Sequence, residues 1–139
     1  MTDQTDALQT LHTRLVDAVD GWTQAAEAME GEHAAFVTRC LEDRKAFHAE
    51  IHAKLAATGA EVDPEGSTAA ALHREGLKIR DAISSGDSGI LAECARGDGV
   101  LESAYDKAIE ATKGQPDWAF LETQRAKVAA AREEAKALS

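Results

Sequence analysis

The stretch SGILAECARGDGVLESAYDKAIE, residues 88–110, repeats its apolar side chains at alternating intervals of three and four residues. This spacing is typical of an α-helix that buries one face against other helices. The face is formed by Leu91, Cys94, Asp98, Leu101, Tyr105 and Ala108. Asp98 is its acidic member, and burial of an unpaired carboxylate costs several kcal/mol. We therefore expect Asp98 to be hydrated, paired with a cation or bound to a metal ion.

The same spacing recurs on both sides of this stretch, and glycines separate the segments that carry it. Gly31, Gly59, Gly86 and Gly114 each follow a helical pattern, at a place where a left-handed C-terminal cap is favoured. The predicted helices cover about residues 6–30, 32–58, 67–84 and 88–110, and a last helix follows Pro116. The 139 residues are enough for a single domain, residues 1–139, with a buried core of its own.

The helix predicted at residues 67–84 follows a polar segment that contains proline and glycine. Its ~17 residues span ~25 Å, which is about the length of a small bundle. The segment can therefore carry the chain from one end of a bundle to the other, so that the helices before and after it run parallel. Two helical hairpins joined by a long crossover are typical of ferritin-like bundles. We predict an all-α, ferritin-like four-helix bundle with a short extra helix in the crossover between the second and third bundle helices.

The composition argues against several classes of partner. A formal charge of −10 disfavours binding to nucleic acid and to anionic membrane surfaces. No apolar run approaches the ~18 residues of a membrane span, and the N-terminus lacks the pattern of a signal peptide. We therefore predict a cytoplasmic protein. Cys40 and Cys94 have no CxxC partner, and we interpret them as reduced core residues.

The histidines give a weak metal-binding signal. Di-metal bundles use Glu-x-x-His motifs, in which residues three apart on a helix face the same metal pair. This motif occurs once, at residues 30–33, where it straddles a predicted helix break. His48 and His52 share a helix face, which permits weak chelation of Zn or Ni, but two exposed histidines on an ordinary helix are the favoured interpretation. The remaining histidines are interpreted as surface residues, His12 and His33, and as a residue in a local contact, His73.

Four motifs extend over nearly the whole chain. They are DAVDGWTQAAE in the first predicted helix, RKAFHAEI in the second, and GSTAAALHREGLKIRDAI and ILAECARGDGVLESAYDKAI further on. Their content and order resemble a family of bacterial proteins of unknown function that is described as ferritin-like four-helix bundles. The resemblance implies the same all-α fold. It also implies inward-facing positions at which a bundle of this kind would hold metal.

The chain departs from the family pattern at three of these positions. Val19 stands where the family carries an acid, and Arg132 stands where a histidine is common. Asp98 replaces a longer acid, and Glu50 is unchanged. The resemblance therefore implies either a reduced metal site at Glu50 and Asp98, with Fe or Mn as cofactor, or no cofactor, with Arg132 paired to both acids instead of a metal. Arg44 and Glu50 lie near the buried face of the second helix, where we expect a salt link at its edge.

The missing pair of Glu-x-x-His motifs favours a non-catalytic binding or structural role with a degenerate di-metal site. The alternative is a di-iron or di-manganese oxidoreductase or metal-storage protein, in which His48 or His52 assists Glu50 and Asp98. The predicted partner is an unidentified protein or a second copy of the chain.

Self-association is a third interpretation, with its contact at the start of the last helix. Trp118 and Phe120 form a dimer contact if they are partly exposed. In the alternative they pack onto the end of the bundle.

Overall fold

Four α-helices make up most of the part of the chain that the structure describes. The structure is a computed structural model, and it describes residues 3–29, 31–59 and 86–139. The helices are α1 (Asp3–Ala28), α2 (Ala34–Ala57), α3 (Gly86–Ala111) and α4 (Phe120–Leu138), with a short 3₁₀ helix at Pro116–Trp118. Within these ranges the chain forms no β-strand, so the predicted all-α class is confirmed. The helix predicted at residues 67–84 lies outside the described residues.

Two helix ends depend on glycine. Gly59 follows α2 with a φ of 86°, and Gly114 follows α3 with a φ of 82°. Residues with a side chain rarely adopt this left-handed conformation, whereas glycine adopts it without strain. After Gly114 the chain turns at Pro116, whose fixed φ suits the first turn of a helix. The predicted C-terminal caps at these two glycines are therefore confirmed.

Contacts between α1 and α2 show that these helices are antiparallel. Trp22, late in α1, packs edge-on against Phe36, early in α2, with ring centroids 6.1 Å apart. His12, early in α1, contacts His52, late in α2. α1 and α2 therefore form a helical hairpin.

α3 is also antiparallel to α1. Gln115, just after α3, donates a hydrogen bond to Gln4 near the start of α1. Near the other end of α1, Trp22 donates a hydrogen bond to Asp98 of α3. Since α1 is antiparallel to both of its neighbours, α2 and α3 run in the same direction, and α2 ends at the opposite end of the bundle from the start of α3.

The second hairpin consists of α3 and α4. Glu102 of α3 pairs with Arg132 of α4, and Asp106, one turn later in α3, pairs with Arg125, which is earlier in α4. α3 and α4 are therefore antiparallel, and the four helices pack as two hairpins against a common core.

The core contains two apolar clusters. The larger side chains of the first cluster are Leu8, Leu11, Leu15, Phe47, Ile51, Leu55, Leu101, Tyr105, Trp118, Leu121 and Val128. Those of the second cluster are Trp22, Met29, Phe36, Val37, Cys40, Leu41, Ile90, Leu91 and Cys94. Arg44 on α2 and Asp98 on α3 fall between the two clusters along their helices. A polar layer therefore lies in the middle of the bundle.

The sequence-based predictions for the two cysteines and for the aromatic residues near α4 can be compared with the burial of these residues. Cys40 and Cys94 are buried free thiols, as predicted. Trp118 is only 5% exposed and packs in the first cluster, which agrees with the alternative in which it packs onto the bundle. Phe120 is half-buried, and the ammonium group of Lys54 lies 5.5 Å from its ring centroid. Within the described ranges, every helix is too short or too polar to cross a bilayer.

Candidate functional site

Asp98 is paired inside the bundle with Arg44. An Nη atom of Arg44 donates a hydrogen bond to Oδ2 of Asp98 at 2.6 Å, and the indole Nε1 of Trp22 donates to Oδ1 at 3.2 Å. The other Nη atom of Arg44 donates to the backbone carbonyl of Cys40 at 3.2 Å, and the guanidinium lies over the Trp22 ring at 4.8 Å. Arg44 and Asp98 are 0% and 1% exposed. Both carboxylate oxygens of Asp98 therefore have a donor from the chain itself.

Burial dominates the electrostatics of this centre. It raises the pKa of Asp98, while the Arg44 guanidinium and the Trp22 indole, which favour the charged carboxylate, oppose that rise. Burial also raises the pKa of Cys40 to about 12, so its thiol stays protonated at neutral pH. The pKa of Tyr105 is raised for the same reason. The centre therefore holds an internal ion pair close to a thiol and a phenol whose protons are retained at neutral pH.

The partners of Asp98 and Arg44 differ from those expected from the sequence. Arg44, expected in a salt link at the edge of a buried face, is fully buried and pairs with Asp98. Arg132, expected beside Asp98 and Glu50, donates to Glu102 at 3.0 Å and is 35% exposed. The reason is steric and electrostatic: Arg44 and Trp22 already occupy both oxygens of Asp98, and Glu102 offers Arg132 a carboxylate nearer the surface.

Glu50 belongs to a separate chain of hydrogen bonds. It is exposed, and one of its oxygens accepts a bond of 2.8 Å from the amide nitrogen of Gln124. The amide oxygen of Gln124 accepts a bond of 2.7 Å from the buried hydroxyl of Tyr105. Glu50 and Asp98 thus have different partners, and neither belongs to a cluster of three metal-ligating side chains in residues 3–29, 31–59 or 86–139.

Three histidines from α1 and α2 do form such a cluster. His12, His48 and His52 each offer a ring nitrogen, and these atoms all lie within 4.8 Å of one another. The ring centroids are 4.5 Å apart for His12 and His48, 5.2 Å for His12 and His52, and 5.9 Å for His48 and His52. Nε2 of His12 and Nδ1 of His52 are 3.0 Å apart and share a hydrogen bond, whose donor depends on the tautomer.

The helices place these rings together by simple geometry. His48 and His52 lie one turn apart on the same face of α2, because residues four apart on a helix are neighbours. The antiparallel packing of α1 against α2 brings His12 to this face. His12 is 2% exposed, whereas His48 and His52 are half-buried. The cluster therefore lies at the edge of the α1–α2 contact, with its deepest ring inside the bundle.

His48 has a buried ring nitrogen that is available to a ligand. Its Nε2 atom is buried and has no hydrogen-bond partner among the described residues. Burial also lowers the pKa of His48, and the neighbouring His52 lowers it further, so the ring favours the neutral form that binds metal ions. A buried ring nitrogen without a partner is costly, and coordination of a metal ion would satisfy it.

Sequence reasoning recognised only part of this cluster. His48 and His52 were predicted as an exposed pair and His12 as a surface residue, but the first two are half-buried and the third is buried. A signal for His12 was present, because it lies four residues after Leu8 and three before Leu15, both on the apolar face of α1. His73 lies outside the described residues.

The distances in the cluster suit a small metal ion. In a tetrahedral site with metal–nitrogen bonds of ~2.0–2.1 Å, neighbouring ligand atoms are ~3.3 Å apart. The separation of 3.0 Å between His12 and His52 is close to this value. Pairs that lie up to 4.8 Å apart exceed this value, so binding of one ion by all three rings requires the rings to rotate towards it.

The fold and the cluster together define an all-helical protein with a candidate three-histidine metal site. The chain belongs to the family described as a domain of unknown function, DUF2383, whose profile matches residues 3–111. The match includes the three histidines, Arg44 and Asp98, and it ends at the last residue of α3. No curated protein and no solved structure shows a significant match to the chain.

Proposed function

We propose that this chain is a metal-binding protein of the ferritin-like bundle class that binds one divalent transition-metal ion at His12, His48 and His52. The observation that carries the proposal is the convergence of three ring nitrogens within 4.8 Å, one of them on a fully buried ring. Binding of a metal ion, with no redox reaction of the protein, agrees with the binding role expected from the sequence.

The ligand set favours particular metals. Imidazole nitrogen suits Zn²⁺, Cu²⁺, Ni²⁺ and Co²⁺, whereas Mg²⁺, Ca²⁺ and Mn²⁺ prefer carboxylate and carbonyl oxygen. The donors of the cluster are three imidazoles. We therefore propose Zn²⁺ or a neighbouring transition metal as the ligand, and not the pair of iron or manganese ions of a di-metal bundle.

The buried acid argues against a di-metal oxidoreductase. Metal binding at Asp98 would have to displace the Arg44 guanidinium and the Trp22 indole from its two oxygens. Displaced Arg44 would then be a buried cation without its partner, beside a second cation. We therefore propose that an arginine takes the place of a metal ion beside Asp98. This arginine is Arg44, whereas the sequence suggested Arg132.

The arrangement of the helices supports the ferritin-like part of the proposal. Two antiparallel hairpins with α2 parallel to α3 are the arrangement expected when a long connection joins the hairpins. In bundles of this type, metal ions are bound by side chains on facing helices. The histidine cluster has the same character, since its donors come from α1 and α2.

Isothermal titration calorimetry of the chelator-treated protein with ZnCl₂ tests the proposal. We expect one Zn²⁺ per chain, and an affinity at least about tenfold lower for His48→Ala and His52→Ala, because each loses a direct ligand. His33→Ala is the matched control: His33 lies just before α2, outside the cluster, and its replacement leaves the affinity unchanged.

Two results would contradict the proposal. The first is no stoichiometric Zn²⁺ in a wild-type protein whose far-ultraviolet circular dichroism shows intact helices. The second is Zn²⁺ binding that survives both histidine replacements but is lost in Glu50→Gln, which would return the site to the acids favoured by the sequence.

A further inference from the structure

The histidine cluster supplies three donors, one fewer than a tetrahedral ion requires. Within the described ranges, the group that lies within 4.8 Å consists of His12, His48 and His52 only. Structural zinc sites are closed by four protein ligands, whereas catalytic sites keep three and leave the fourth position to water or substrate. Three protein donors therefore correspond to a site with an open fourth position, and not to a closed structural site.

The exposure of the rings shows where a fourth ligand would enter. His12 is buried at 2% exposure and forms the inner side of the cluster. His48 and His52, on adjacent turns of α2, are half-buried, and are therefore nearer the surface than His12. An ion held by all three rings would thus have its most buried side at His12 and its more accessible side at His48 and His52.

We infer that the metal ion bound at His12, His48 and His52 keeps one exchangeable coordination position, open to water and to small monodentate anions. The inference rests on the proposed metal-binding function and assigns the class of exogenous ligand to the same site. The exchange is a simple substitution: the incoming anion donates an electron pair to the metal, and the bound water leaves unchanged. No residue is oxidised or reduced.

Cobalt substitution makes this exchange visible. Co²⁺ binds to the same types of site as Zn²⁺, and its visible ligand-field bands respond to a change of ligand. The protein is loaded with one equivalent of Co²⁺ and titrated with sodium azide at constant pH and ionic strength. We expect a saturable change of the visible spectrum that fits one azide per Co²⁺, and the same titration curve for the control His33→Ala.

The proposal is overturned if the Co²⁺ bands appear but azide leaves them unchanged. It is also overturned if azide binds only to His73→Ala, because the chain itself would then fill the fourth position. If no Co²⁺ bands appear in the wild-type protein, the metal site does not exist and the proposed function fails. The bands report on the metal site and their response to azide reports on the open position, so the two failures are distinguishable.

Discussion

Replacement of Arg44 by methionine measures how much the internal ion pair contributes to stability. Methionine keeps the length and apolar character of the arginine stem but leaves Asp98 buried without its cation. Removing one partner of a buried pair costs about 3–5 kcal/mol. The lost hydrogen bond to the Cys40 carbonyl adds about 1 kcal/mol.

The protonation of Asp98 sets an upper limit on this loss. Without Arg44, the buried carboxyl can take up a proton, which costs about 1.4 kcal/mol for each pH unit above its ordinary pKa, or about 4 kcal/mol at pH 7. With the lost hydrogen bond included, both routes together predict a decrease of about 4–5 kcal/mol in the free energy of unfolding at pH 7. The total stability of a domain is typically about 5–15 kcal/mol, so the effect is large but compatible with folding.

The stability of Arg44→Met is expected to depend on pH in a distinctive way. In Arg44→Met the folded protein retains a proton on Asp98 that the unfolded chain releases above its ordinary pKa. The folded state therefore binds more protons, and stability falls as the pH rises. We expect the deficit relative to the wild-type protein to shrink as the pH is lowered from 7, by about 1.4 kcal/mol for each unit over the range in which Asp98 of the wild-type protein is ionised.

Urea denaturation followed by far-ultraviolet circular dichroism, repeated at pH 5 and pH 7, measures both effects. Arg39→Met is the matched control, because Arg39 is on the same helix but is 63% exposed and pairs with Glu134 at 3.5 Å. Its replacement is expected to cost less than about 0.5 kcal/mol. Asp98→Asn in the Arg44→Met background removes the unpaired acid and recovers most of the stability. A deficit below about 1 kcal/mol at pH 7, or one that is the same at both pH values, would refute the reasoning.

Three further predictions concern other parts of the bundle. Cys40 and Cys94 are expected to react with a thiol reagent only when the protein unfolds, because burial raises the pKa of both thiols and shields them from the reagent. Fast reaction of the folded protein in a stopped-flow assay would contradict this prediction. Tyr105→Phe leaves the buried amide oxygen of Gln124 without its donor and lowers the free energy of unfolding by about 1–2 kcal/mol in urea denaturation, whereas no change would show that water replaces the hydroxyl. Zn²⁺ at a hundredfold excess over its dissociation constant raises the free energy of unfolding by about 2.7 kcal/mol, and a chelator reverses the gain; an equal gain in His48→Ala would exclude the histidine cluster as the binding site.

The helices could be predicted from the sequence because their signal is local. The spacing of apolar residues and the caps at Gly59 and Gly114 depend on neighbours within a few positions. The need of Asp98 for a partner was also evident, since an acid on an apolar face must be neutralised. The identity of the partner was not, because Arg44 lies 54 residues away and meets Asp98 only through the parallel register of α2 and α3.

The histidine cluster was missed for a related reason. His48 and His52 are four residues apart, a spacing that is common on exposed helices. The third ring, that of His12, comes from another helix. Only the contact of α1 with α2 shows that His12 faces this pair. Sequence spacing therefore indicates ligands that lie on one helix, whereas a site shared between helices depends on their relative register, which no local pattern records.

The two polar centres differ in chemistry: one is the buried pair of Arg44 and Asp98, and the other consists of the imidazoles of His12, His48 and His52. At Asp98 the charge of the buried acid is balanced within the chain by Arg44, so the core requires no metal ion at this position to remain neutral. Arg44, His48 and His52 follow one another at intervals of four residues, so both centres share one face of α2. A metal at the histidines therefore adds to a core that is already neutral. We therefore expect a bundle with the proposed metal site to be folded with or without an ion, and to bind and release the ion reversibly, as a ligand and not as a structural component.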